Sequence, residues 1–136
     1  MNESIVAIFN IFKIISVFLI IAHWIACIFY SVGQSEYLNQ YTCWFSSLST
    51  QDFKIGLQDQ DNFTQYITSL YWSFVTMAIV GYGDITPITD NEKVFGLIAE
   101  LIACGVFAYV VGSIEMIVNR SSTIEDEFKE KIFQVN

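Results

Sequence analysis

Positive charge is scarce in this chain. Six lysines and arginines stand against 14 aspartates and glutamates, a formal net charge of −8 over 136 residues. Without a basic stripe there is nothing for a phosphate backbone to lie on, so nucleic-acid binding is not expected. Proline occurs once, at Pro87, and histidine once, at His23. A lone histidine inside an apolar run makes no nucleophile–base pair, and no glycine-rich phosphate loop is present, so no enzyme chemistry is expected. Cys27, Cys43 and Cys104 keep no metal-ligand or redox spacing, so no cofactor is expected. Cys27 and Cys104 fall in apolar runs, where a thiol behaves as a small apolar group. Cys43 is read as an unpaired thiol, with pairing between chains as the alternative.

Apolar side chains, by contrast, are abundant. They make up 54% of the residues, aromatics 16%, and the mean hydropathy is +0.48. They gather in two blocks, from about Ile5 to Val32 and from about Lys93 to Val118. Each is long enough for the roughly 20 apolar residues that a membrane-spanning helix needs. A soluble domain with a greasy core is the competing reading, and the block lengths disfavour it. Met1-Asn2-Glu3-Ser4 carries no basic residue and the first block is long, so a cleaved secretory leader is not expected. The predicted fold class is an all-α membrane protein with two transmembrane helices.

Between the blocks the chain is polar, acidic and dotted with aromatics. Glu36, Asp52, Asp59, Asp61, Asp84, Asp90 and Glu92 all lie there, opposed mainly by Lys54. Such a run either forms an acidic vestibule that concentrates cations or is a solvated loop. Asn62-Phe63-Thr64 is a glycosylation sequon, and Asn62 is a candidate acceptor on the outer side. Asn119-Arg120-Ser121 also matches but falls on the inner side. Asp61 or Asn62 can cap a helix over about 64–78. That helix is too short to span, so in a membrane it must be re-entrant and buried in protein. Directly after it comes Ile79-Val80-Gly81-Tyr82-Gly83-Asp84. Gly81 and Gly83 can take φ > 0, so successive carbonyls can turn toward one axis. Copies around a symmetry axis would then make rings of oxygens able to replace a cation's water shell.

This stretch resembles the selectivity filter of tetrameric potassium channels, the standard example of carbonyl ion coordination. Ser69-Leu70-Tyr71-Trp72-Ser73-Phe74 resembles the pore helix before such a filter. Ile85 to Phe95, through Pro87, resembles the link into the inner helix. His23-Trp24-Ile25-Ala26-Cys27 and Ala108-Tyr109-Val110-Val111-Gly112 resemble the branch of the voltage-gated superfamily that usually carries a cyclic-nucleotide-binding domain. That branch includes the ether-à-go-go, plant inward-rectifier and hyperpolarisation-activated types. The chain departs from the pattern at Ile79, where the family usually has Thr.

The resemblance implies five segments: 1–32 outer transmembrane helix, 33–62 extracellular turret loop, 63–92 pore helix, filter and outer mouth, 93–118 inner helix, and 119–136 start of a cytoplasmic linker. It implies a tetramer of identical or related subunits in membrane lipid, with the plasma membrane as the expected location and K+ as permeant ion rather than cofactor. Carbonyls of Ile79, Val80, Gly81 and Tyr82 would bind K+, and Gly83 would complete the mouth. Tyr71, Trp72, Thr76, Asp84 and Glu100 are read as filter support, with Trp72 and Tyr71 bracing Tyr82 and Asp84. Glu100 is expected to face the pore helix, protonated or paired with a hydroxyl such as that of Thr76. Helical spacing on the second block makes Phe107, Val111 and Ile114 the pore-lining and gate residues. Gly96, Gly105 and Gly112 are expected to interrupt that helix, with Gly105 the hinge candidate. His23 is read as a packing residue with a satisfied ring nitrogen, and Glu115 as solvated. Ser121, Ser122 or Thr123 is expected to cap a new helix in the tail. No arginine-rich sensor helix or nucleotide domain is present, so a pore piece of a six-helix channel is favoured over a natural two-helix subunit. Weakly selective K+/Na+ conduction and a non-conducting regulatory subunit are the alternative functions.

Overall fold

The computed structural model describes residues 3–47 and 57–135. Asp52 and Lys54, counted above in the acidic loop, lie outside the described residues. Four α-helices follow in order: α1 Glu3–Leu38, α2 Trp44–Ser47, α3 Asn62–Met77 and α4 Asp90–Val135, with a short 3₁₀ turn at Leu57–Asp59 before α3.

α1 continues six residues beyond Val32, through polar residues that the sequence assigned to the loop. Gly33 is no breaker here; it is a contact surface. A Cβ at Gly33 would stand 2.2 Å from Nε1 of Trp44, so only glycine lets that indole lie on the helix backbone. Nε1 itself donates to the Phe29 carbonyl at 3.3 Å. α1 stops at Gln40, which takes φ 64°. Its amide donates to the Tyr37 carbonyl and the Tyr41 amide to the Glu36 carbonyl, the Schellman pattern that usually employs glycine.

Ala22, Ile25, Ala26 and Phe29 are buried along one side of α1, at the spacing of a single helical face. Phe29 centres the core. It stacks on Trp44 of α2 (4.4 Å, 13°) and on Trp72 of α3 (3.6 Å, 10°), with Phe95 of α4 at 6.3 Å. One ring therefore joins all four helices. Ala99 and Ala103, one turn apart on α4, are also buried there, and such small residues let helices approach closely.

Contacts fix the helix directions. Asn91, at the start of α4, meets Glu36 at the end of α1, while Ser113 and Lys13 line one cavity, so α1 and α4 run antiparallel. α3 enters near Tyr30, whose hydroxyl donates to Gln65 Oε1 at 2.9 Å. It ends near mid-α1, where Ser73 Oγ donates to the Ala22 carbonyl at 2.8 Å. The segment from α3 to α4 thus dips to the middle of the helix pair and returns.

α4 passes through Gly96, Gly105 and Gly112 without interruption and on through residues 121–123, where no new helix begins. The expected interruptions and tail cap are therefore corrected: without proline or competing caps, the hydrogen-bond ladder simply continues. Ile5–Leu38 and Asp90–Asn119 are long and apolar enough to cross a membrane. Only 11% and 17% of their most apolar stretches are buried in the protomer, which is not how a soluble core helix behaves.

Candidate functional site

The segment after α3 is built on that helix's last turn. The Ile79 amide donates to the Thr76 carbonyl (3.0 Å) and the Val80 amide to the Val75 carbonyl (3.0 Å), a second Schellman cap. Gly81 reaches the same Val75 oxygen at 3.4 Å. Ile79, Gly81 and Gly83 take φ of 56°, 59° and 73°, while Val80 and Tyr82 between them keep negative φ. Alternation in the sign of φ over five residues belongs to neither helix nor strand. The positive φ at the two glycines agrees with the expectation from sequence. That of Ile79 was not legible, because β-branched residues almost never adopt it.

Ile79, Val80 and Tyr82 are exposed in the protomer, Tyr82 at 71%. Tyr71 donates a hydrogen bond to Asp84, and this contact raises the phenol above its ordinary range. Asp84 Oδ1 also accepts from the Ile85 amide at 3.1 Å. The Trp72 ring lies flat on Phe29 and so holds α3 against α1. Apolar burial decides the orientation: the indole is 6% exposed in the core.

Thr76 and Glu100 face a common cavity. Together with Ile79, Gly81, Ala103 and Cys104 they line a cavity of about 270 Å³ beside the φ-alternating segment. No direct hydrogen bond joins the Glu100 carboxylate to the Thr76 hydroxyl among the described residues. Phe107, Val111 and Ile114 lie along one side of α4 and are 44%, 48% and 49% exposed, uncovered by α1 or α3. A Cβ at Gly105 would meet nothing within 4 Å, so that glycine is not kept for packing inside the protomer.

His23 has a polar partner, as expected: the Tyr66 hydroxyl lies 2.8 Å from Nδ1. Asn62 is the first residue of α3 and exposed. Asp61 holds the N-cap position, and its carboxylate accepts from the Thr64 hydroxyl, which with nearby backbone amides lowers its pKa. All three cysteines are free, and Cys43 is buried with its thiol donating to the Gly33 carbonyl at 3.5 Å.

Two of the acidic residues are neither vestibule nor solvated loop. Glu36 is buried in the last turn of α1, its Oε1 accepting from Asn91 Nδ2 at 2.7 Å. Glu92 is fully buried and accepts from the Trp44, Ile88 and Thr89 amides. The sequence did carry a signal for Glu92: Thr89-Asp90-Asn91-Glu92 ahead of an apolar run is a capping box. Asp59, Asp61, Asp84 and Asp90 remain exposed.

Residues 1–124 match the family described as Ion transport protein. The chain belongs to that family. It is 36% identical over 112 residues to the voltage-gated inwardly rectifying potassium channel KCNH7 of Mus musculus, covering 76% of this chain and 9% of that protein. It is 35% identical over 120 residues to KCNH6 of Homo sapiens (81% and 12%). With KCNH2 of Rattus norvegicus it shares 32% over 116 residues (81% and 10%). These relatives are of the ether-à-go-go type, the branch that the His23–Cys27 and Ala108–Gly112 stretches pointed to. They are ion channels and not enzymes. The chain spans about a tenth of their length. Family membership and the two apolar helices together make this a membrane protein.

Proposed function

We propose that the chain is the pore-forming part of a tetrameric potassium channel of the plasma membrane. The observation that carries this reading is the alternation of φ from Ile79 to Gly83, directly after a short helix set between two spanning helices. Four copies would stack carbonyl rings from Ile79, Val80, Gly81 and Tyr82, with Gly83 at the mouth. Those oxygens would replace the water shed by a K+ ion. α3 is re-entrant in this reading, and its C-terminal end presents the partial negative charge of the helix dipole to the ion.

The exposed apolar faces of α1 and α4 meet lipid or neighbouring subunits, identical or related. Phe107, Val111 and Ile114 line the inner pore, with Gly105 free to act as a hinge. Glu100 and Thr76 support the filter from the cavity they share. Asn62 is exposed on the outer side, where glycosylation would occur. The exposed acids Asp59, Asp61, Asp84 and Asp90 gather cations at the entrance.

Ile79 favours a second reading, a weakly selective K+/Na+ channel. A threonine there would add four hydroxyls to the innermost site; isoleucine adds apolar bulk instead. The purified chain reconstituted in potassium-loaded vesicles tests the main reading. A potassium leak large enough to drive dye-reported proton uptake, from particles with the mass of four chains, is expected. Particles of one or two chains with no leak would refute it.

A further inference from the structure

Outside the φ-alternating segment, the Glu92 carboxylate is a fully buried group held by three backbone amides. It is 0% exposed. Its oxygens accept from the Ile88 amide at 2.7 Å, the Thr89 amide at 3.1 Å, and the Trp44 amide at 3.2 and 3.3 Å. The Glu92 amide in return donates to Thr89 Oγ1 at 3.3 Å. Capping α4 requires only the exchange between Thr89 and Glu92. The other two bonds reach elsewhere. Trp44 opens α2, 48 positions back along the chain, and Ile88 belongs to the segment leading out of Gly83 and Asp84. Among the described residues no cationic side chain pairs with Glu92. Its charge faces backbone amides and the N-terminus of α4, so removing any one of these partners leaves a buried acceptor short.

We propose that Glu92 is a positioning residue that latches α2 to the 85–89 segment, so that the outer loop and the exit of the conduction segment move as one body. The Glu36–Asn91 bond, one residue away, ties the end of α1 to the same point. The proposal rests on the channel reading for its consequence alone. With the latch released, Asp84 and Ile85 lose their fixed anchor, and conduction decays or loses selectivity.

Cys43 tests the latch without any need for current. It is buried next to Trp44 and becomes reachable only when α2 lifts. The whole chain, carrying Cys27→Ser and Cys104→Ser, is placed in lipid nanodiscs and treated with a charged maleimide. Glu92→Gln turns one acceptor oxygen into a donor and is expected to speed Cys43 labelling about tenfold or more. Thr89→Ala, whose hydroxyl serves only the α4 cap, is expected to change the rate by less than about twofold. An unchanged rate in Glu92→Gln, or an equal rise in Thr89→Ala, overturns the latch. Hydrogen exchange on the unmutated protein covers the case of a variant that misfolds: the Trp44 and Ile88 amides must open together, and independent opening overturns the latch. Where the unmutated protein conducts, Glu92→Gln is expected to quicken current decay or shift the reversal potential. Exposed Cys43 with unaltered current and selectivity would overturn the positioning role. Silence of the unmutated protein would count against the channel reading while leaving the labelling result intact.

Discussion

The Val80 amide donates to the Val75 carbonyl across 3.0 Å, and this bond forces Ile79, between the two, into φ 56°. A β-branched residue held there stores strain of about 1–3 kcal/mol. Ile79→Gly is therefore expected to raise thermal stability by about 0.5–1 kcal/mol, strain relief outweighing glycine's extra chain entropy. Melting of the detergent-solubilised protein checks it; an unchanged or lower midpoint would mean that Ile79 sits there without strain.

Phe29 lies flat between Trp44 and Trp72. Phe29→Ala removes the ring common to all four helices and is expected to cost about 3–5 kcal/mol. Denaturant titration followed by tryptophan fluorescence measures it. The same change should red-shift the emission of Trp44 and Trp72 as both rings lose their partner.

Gly33→Ala puts a methyl group where the Trp44 indole already is. Backbone on one side and the Phe29 stack on the other leave the indole little room. A loss of about 1–3 kcal/mol is expected from this overpacking. Gly105→Ala, with open space around it, is expected to cost nothing and to gain up to about 1 kcal/mol of helix propensity. A matched pair of melting curves decides both.

The Tyr71–Asp84 contact gives a pH signature. The phenol's pKa is raised in the folded protein from its ordinary 10.0, chiefly by the hydrogen bond to Asp84. A raised value means the contact contributes in full below the unfolded pKa and is lost as pH rises through the folded one. Tyr71→Phe lacks the bond at every pH. Its deficit in melting temperature is therefore expected at neutral pH and should shrink as the buffer passes above the ordinary tyrosine range. A deficit independent of pH would place its cause in packing.

The two long helices were legible because their apolar runs exceed what a span requires, and α3 was legible from its capping residues and the glycines after it. The end of α3 was legible to within a residue, but that of α1 was not, because its Schellman cap uses Gln40, which seldom takes positive φ. The role of Gly33 was not legible: sequence shows a glycine, while only the fold shows the indole lying on it. Glu36 read as a loop charge because its partner is an asparagine, which carries no charge pattern; for Glu92 the capping box was legible, but its reach to the Trp44 and Ile88 amides was not. The stacking of Trp72 on Phe29 was not legible either, because sequence spacing does not say which rings meet.

We infer that the backbone oxygens of Ile79 to Tyr82 select potassium without a threonine hydroxyl beneath them. The most direct test is the reversal potential of the assembled protein with potassium on one side and sodium on the other. A value close to the potassium limit is predicted, with Ile79→Thr moving it little. A value near zero would contradict the claim and establish a mixed cation pore, in which Ile79→Thr should restore the preference for potassium.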